Sequence, residues 1–295
     1  MIRNLIDNNI NLNKGENFCA ILGVNPSNGA RSPLLWNAAY SHYGLSTQML
    51  PLDVSAQNFD DLLDELNNNQ KFIGGAITMP YKENTANWLG NRITAEAKEI
   101  GAVNCLYRGK DNQLYGTNTD GEASILSYQS HFGDVTGKSI VILGTGGVAK
   151  AVSAYFSAGV GEVGKVTMVG RLNNGKEYAE SINANWISWS NMDDILKEVD
   201  GVINCTSIGF LDQEGASPLN KDQLSILSDT TNIFDVIYQP LKTELILLAK
   251  VRKLQYLNGS EMNIEQAVLA FNYANPQFSN LQDIKAAMLK AVSNK

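Results

Sequence analysis

Two spacings of apolar residues alternate along the chain. Short continuous apolar runs, the mark of buried strands, are separated by stretches where apolar residues recur every three or four positions, the mark of amphipathic helices. Residues 18–24 (FCAILGV) read as a buried strand feeding a loop rich in Gly and Pro. A helix is predicted over 32–45, started by Ser32-Pro33 and closed by Gly44, with Leu34, Leu35, Ala38, Ala39 and His42 at helical spacing. A second helix follows over 59–68 and a second strand over 72–79, stopped by Pro80. The order to this point is strand, helix, helix, strand. Strands are then predicted over 139–143, 166–169, 201–205 and 232–237, and helices over 148–156, 190–199, 244–254 and 263–273, with a polar tail helix after them. The second of those helical stretches has its start assigned to a capping box of Ser190 with Asp193. This alternation is that of a doubly wound α/β sheet, and no internal repeat interrupts it.

Composition narrows the picture. A chain of 295 residues suggests about two domains. Charged residues make up 18%, so surface polarity rests heavily on Asn, Ser, Thr and Gln. The net charge of -7 repels a phosphate backbone, and no basic patch offsets it, so nucleic acid is not an expected partner. Cys19, Cys105 and Cys205 are too far apart to form a CxxC site, and their odd number points to a reducing compartment. With only His42 and His131 present, neither a His-rich metal site nor a serine triad is supported, and no metal is expected. His42 reads as a packed or solvent-edge side chain. Asp7 and several Asn interrupt any apolar leader, and no run approaches a membrane span. A cytoplasmic protein without a membrane partner is expected.

Candidate chemistry lies in the loops. GTGGVAK (144–150) follows a strand and opens a helix: Gly144 permits the tight turn, while Gly146 and Gly147 let backbone amides approach a pyrophosphate at the helix N-terminus. A ligand-free packing turn is the other reading. At the end of the next strand, where an acid would hold the ribose of NAD, stands Arg171, with Lys176 nearby, which favours NADP unless Arg171 is only a solvated strand end. Three polar strings, TMPYKEN (78–84), GAVNC (101–105) and GTNTDG (116–121), place Lys82, Asn104 and Asp120 as candidates to converge on one cleft. Hydride transfer from an alcohol also needs the hydroxyl proton moved, and a Lys steadied by a carboxylate can move it; Lys82 and Asp120 fit. The plainer readings are a helix-capping lysine and an N-cap aspartate.

Together with INCTSIGF (203–210), FDVIYQPLKTELI (234–246) and NGSEMNIEQAVLAF (258–271), these strings resemble the shikimate/quinate dehydrogenase family, in order, from the loop near Ser32 to Gln266. The resemblance implies an N-terminal α/β substrate domain (1–119, completed by C-terminal helices returning over 258–295) and a central Rossmann-type dinucleotide-binding domain (120–257). It implies NADP-dependent reversible reduction of 3-dehydroshikimate to shikimate. Lys82 and Asp120 match the family's catalytic pair. Thr78, Asn104, Thr119 and Gln266 match positions that hydrogen-bond the ring hydroxyls, Ser32 a serine that grips the carboxylate, and Tyr238 a tyrosine at the substrate mouth. Gly144, Gly146 and Gly147 match the pyrophosphate loop, and Arg171 the 2′-phosphate contact.

The departures bear on substrate and cofactor. The family usually carries two serines separated by one residue before the Pro; here the first is Ala30, in a loop about one residue longer than usual, and Ser27 or Arg31 is the expected replacement. The usual Asn-Arg-Thr is Gly170-Arg171-Leu172, which keeps NAD open as an alternative cofactor, and Glu261 replaces a glycine. The alternatives are a quinate or related cyclitol-acid dehydrogenase and a non-catalytic paralogue that binds a metabolite or dinucleotide. A small molecule is the expected partner in each case, and a homodimer is compatible with the sequence. Domain closure about Gly121 and the turn near Gly259 is expected.

Overall fold

Six residues without a charged or amide side chain make Phe18–Gly23 (β1) a strand buried along its whole length. The chain then passes through Ser32–His42 (α1) to Gln48–Asp53 (β2), and through Phe59–Asn68 (α2) to Phe72–Ile77 (β3). Lys82–Leu89 (α3) and Ala95–Ile100 (α4) lead to a hairpin of Cys105–Arg108 (β4) and Leu114–Thr117 (β5). The sheet order is β2-β1-β3-β4-β5, with the first three strands parallel and the last two antiparallel. This computed structural model describes residues 2–11, 16–171, 173 and 175–293. The Asn-rich start lies in part, at 12–15, outside the described residues, as does Leu172.

β2 was absent from the pattern of apolar runs because Pro51 sits in its middle. The structure shows why proline is tolerated there. Met49, Pro51 and Asp53 turn their backbone groups away from β1: Asn37 brackets Met49, donating to its C=O at 3.1 Å and accepting from its N–H at 2.7 Å, while the Asn8 side chain donates to Pro51 O at 3.1 Å and accepts from the Asp53 N–H at 2.8 Å. The missing N–H of Pro51 therefore removes no ladder bond, and the chain's start covers the open edge.

After Asp120–Phe132 (α5), a second sheet forms from Ser139–Leu143 (β6), Lys165–Gly170 (β7), Asn185–Ser188 (β8), Gly201–Asn204 (β9), Asn232–Asp235 (β10) and Gln255–Leu257 (β11). Its order, β11-β10-β9-β6-β7-β8, is all parallel and reads 3-2-1-4-5-6 when counted from β6. That is the doubly wound dinucleotide-binding arrangement, with its switch point between β6 and β9. Gly147–Val160 (α6) packs on β6 and β7, Lys176–Ser181 (α7) on β8, and Glu244–Val251 (α9) on β10 and β11, with Lys221–Ile226 (α8) between β9 and β10. The core of this sheet includes Val141, Leu143, Val202, Ile233 and Leu245.

Ser260–Ala274 (α10) and Leu281–Ser293 (α11) close the chain. Phe271 of α10 packs against Trp36 and Tyr40 of α1 at ring distances of 5.3 and 4.9 Å. Tyr43 stacks on Phe278 at 4.0 Å, and His42 Nε2 lies 3.2 Å from Asp283 of α11, which makes His42 the solvent-edge residue its position suggested. The chain thus divides into two compact units: residues to Thr119 together with those from Gln266, and Asp120–Glu265.

One sequence reading requires correction. Ser190 and Asp193 form no capping box: the segment is two short 3-10 turns, Trp189–Asp194 and Leu196–Glu198, without a side-chain cap. Met192 and Leu196 are both buried and four apart, which imitates a helix, but the Ser190 hydroxyl is taken by Ser188 and Asn191, and Asp193 accepts from Gln223 at 2.7 Å. The reciprocal box belongs to Asn220 and Gln223, at the start of α8. Gly121 lies within α5, where a Cβ would come within 2.6 Å of Ala151 O on α6, so the close approach of the two helices requires glycine there.

Candidate functional site

In the first unit the candidate residues stand where strands end. Lys82 is the first residue of α3, half-buried, and its C=O accepts from the Val103 N–H at 2.9 Å. The next residue, Asn104, is 3% exposed and is held on both backbone sides, by Thr117 O at 3.1 Å and the Ile77 N–H at 2.8 Å. Its side chain is fixed as well: Oδ1 accepts from the Thr119 N–H at 2.8 Å and Nδ2 donates to Thr119 Oγ1 at 3.0 Å. Thr119 Oγ1 in turn lies 3.2 Å from the backbone oxygen of Gln266, on α10. Thr78 follows β3, donates its N–H to Leu22 O at 2.9 Å, and comes so close to Gly23 that a Cβ there would sit 2.4 Å from its methyl. Hydrogen bonds thus tie Asn104, Thr119 and the Gln266 backbone into one cluster, with the Lys82 backbone held to Val103, the residue before Asn104, and Thr78 anchored on β1. Ser32, 6% exposed, opens α1 with Arg31 at the N-cap position.

Of the two candidates to replace the missing serine, Ser27 is committed elsewhere. Its N–H donates to Asp53 Oδ1 at 2.8 Å and its hydroxyl makes a short hydrogen bond to Asp53 Oδ2. Nothing in the sequence signalled this pairing across 26 residues.

The second unit carries Asp120, Tyr238, the glycines and Arg171. Asp120 is 5% exposed and is the first residue of α5 rather than the residue before it. Gly144 begins the turn after β6 with φ +116, where a Cβ would lie 3.1 Å from Cys205 O, so this crossing at the switch point requires glycine. Gly146 is the N-cap residue of α6, extended, without a side-chain cap and with open space where a Cβ would stand; Gly147 is the helix's first residue. That bare helix N-terminus fits a dinucleotide's pyrophosphate, since backbone amides and the helix dipole face an anion there. Arg171 directly follows β7, whose Val169 C=O accepts from the Gly144 N–H at 2.9 Å, so it stands next to the glycine turn.

Beside the switch point lies a network that the apolar pattern did not reveal. Asp235, fully buried, accepts from Thr243 Oγ1 at 2.6 Å, Asn204 Nδ2 at 3.0 Å and the Ile237 N–H at 3.2 Å. Asn204 Oδ1 accepts from Thr206. Burial pushes the Asp235 carboxyl up to about 6, while those donors hold it down. Burial also raises the Cys205 thiol, with Asp235 and Asp120 adding negative charge nearby. Tyr238, half-buried, follows β10 just past this network. Among the described residues no His, Cys, Asp and Glu cluster could hold a metal ion, and no helix is long and apolar enough to cross a membrane.

Known proteins agree with this layout. The family described as the shikimate dehydrogenase substrate binding domain matches residues 22–106. The shikimate dehydrogenase (NADP(+)) of Roseobacter denitrificans is 31% identical over 260 residues, covering 86% of this chain and 90% of that protein. That of Methanocaldococcus jannaschii is 30% identical over 266 residues, covering 89% and 93%. A crystal structure of a shikimate dehydrogenase in complex with NADP+ superposes with a TM-score of 0.82 at 26% identity, covering 95% of this chain and 96% of that one. The fold is theirs, and with identity at this level over nearly the whole length the chain belongs to the shikimate dehydrogenase family.

Proposed function

We propose that the protein catalyses the reversible, NADP-dependent reduction of 3-dehydroshikimate to shikimate. The observation that carries this reading is the cluster in which side-chain and backbone bonds fix Asn104, Thr119 and Gln266 together, with the Lys82 backbone bonded to Val103 beside Asn104, in a chain related over most of its length to NADP-dependent shikimate dehydrogenases. The first unit serves as the substrate domain and the second as the NADP domain. When bound, the nicotinamide cofactor supplies or accepts the hydride.

The remaining chemistry belongs to the chain. Lys82 moves the proton of the reacting hydroxyl, and Asp120 is its partner in that task. Thr78, Asn104, Thr119 and Gln266 hydrogen-bond the ring hydroxyls. The Asn104 amide cannot turn without breaking two bonds to Thr119, so it meets the ring in one orientation, which lowers the ordering cost on binding. Ser32 contacts the carboxylate and Tyr238 closes the substrate mouth. Gly144, Gly146 and Gly147 cradle the pyrophosphate, and Arg171 meets the 2′-phosphate. The enzyme is placed in the cytoplasm, and sedimentation velocity tests whether two copies form a homodimer.

The test is absorbance of the reduced nicotinamide with shikimate or quinate against NADP+ or NAD+. Turnover greatest with shikimate and NADP+ is expected. Greater turnover with quinate and NAD+ would overturn the assignment, and tight binding without turnover would make the chain a binding protein.

A further inference from the structure

We propose that Asp53, at the end of β2, is a positioning residue for the substrate carboxylate: by holding Ser27 it sets the shape of the loop that leads from β1 to Ser32. The proposal rests on the shikimate reading above and deepens it. The loop over 24–31 has lost one of the family's two serine hydroxyls to Ala30, so its grip on an anion depends more on where the remaining groups are held. Within the loop, the Asn28 N–H donates to Asn25 O and the Ala30 N–H to Pro26 O, both at 3.2 Å, long bonds for a segment that must be rigid. The strong anchor is Asp53. Its two carboxylate oxygens take separate donors on Ser27, the N–H at 2.8 Å and the hydroxyl.

Ser27 is exposed while Asp53 is only 7% exposed, so the fixed end of this pair is the aspartate. The aspartate is itself pinned: its N–H donates to Asn8 at 2.8 Å and its C=O accepts from the Asp7 N–H at 2.7 Å. Adjoining Val54 donates its N–H to Gly23 O at 2.9 Å and accepts the Tyr81 hydroxyl at 2.8 Å, one residue before Lys82. The end of β2 therefore braces the loop after β1 through the Asp53 side chain and the lysine turn through the Val54 carbonyl. The Asp53 carboxylate is an acceptor and its charge opposes an anion nearby, so it does not itself grip the substrate carboxylate. What it contributes is geometry, and a neutral group of the same shape would serve.

The test is steady-state kinetics of the full chain, with shikimate, its methyl ester and NADP+ each varied. In Asp53→Ala the KM for shikimate is expected to rise roughly tenfold or more, with kcat and the KM for NADP+ nearly unchanged. The advantage of shikimate over its methyl ester should shrink with it. Asp53→Asn should restore the KM, because the amide oxygen can accept from the Ser27 N–H and the amide nitrogen can donate to its hydroxyl. Ser27→Ala, which removes one bond at an exposed position, should move the KM in the same direction by less, and it carries the test should Asp53→Ala fail to fold. An unchanged KM, equal shifts for acid and ester, or no rescue by Asp53→Asn would overturn the proposal while leaving the activity standing. A wild-type enzyme that does not turn over shikimate would remove the functional reading and the proposal together.

Discussion

Replacing Asp235 with Asn should change how stability depends on pH, by an amount that follows from the site. Asp235 is fully buried and its carboxyl is pushed from an ordinary value of 3.8 up to about 6. For an acid whose value is raised on folding, the folded chain holds the proton more tightly than the unfolded one. The group's contribution is therefore complete below 3.8 and is lost as pH rises from there through about 6. At roughly 1.4 kcal/mol per pH unit the loss is about 3 kcal/mol. Asn has the same shape, keeps an acceptor for the Asn204 and Ile237 donors, and cannot ionise. Urea denaturation of both proteins between pH 4 and pH 7 isolates the effect, because the remaining carboxylates cancel in the difference. The stability of Asp235→Asn relative to wild type should increase by about 2 kcal/mol across that range, the remainder of the loss lying below pH 4. A difference that stays flat, or that falls as pH rises, would show that the carboxylate is not held in the buried, proton-favouring site described.

Two further outcomes follow from single side chains. Arg108 sends its N–H groups to the carbonyls of Leu66, Asn67, Asn69, Phe72 and Asn112, closing the end of α2; Arg108→Lys cannot reproduce the fork and should cost about 2–4 kcal/mol by urea unfolding at constant pH. Loss of less than about 0.5 kcal/mol would show those bonds to be replaceable by water. Gly144→Val places a branched side chain at φ +116 against Cys205 O, and calorimetric titration should find NADP+ binding weakened by more than about tenfold, while the fold persists by circular dichroism. Unaltered binding would take the dinucleotide away from this turn.

Strands and helices that bury one continuous surface were legible: β1, β6 and β9 are apolar over most or all of their length, and the helical spacing over 59–68 matches α2. What the pattern missed depends on partners distant in the chain. β2 is interrupted by a proline that only an edge position accommodates. β4, β5, β8 and β11 are three or four residues long, too short for a period to declare itself. At Ser190 the spacing misled because Met192 and Leu196 share a buried side without a helix between them. The glycine turn was legible because strand, glycines and helix are contiguous. Grouping Lys82 with Asn104, Thr119 and Gln266 was not a matter of spacing, since the bonds span up to 147 residues and were anticipated only through family resemblance. Asp53 left no trace at all: its partner is Ser27, and neither residue lies in a motif.

The most direct test of the account is the effect of Lys82→Ala on turnover of shikimate with NADP+. The account predicts that kcat falls by about a hundredfold to ten-thousandfold, the range of general acid–base catalysis, with the KM for shikimate little altered. An unchanged kcat in a folded variant that binds NADP+ would contradict it, since the proton would then have to be moved by some other group.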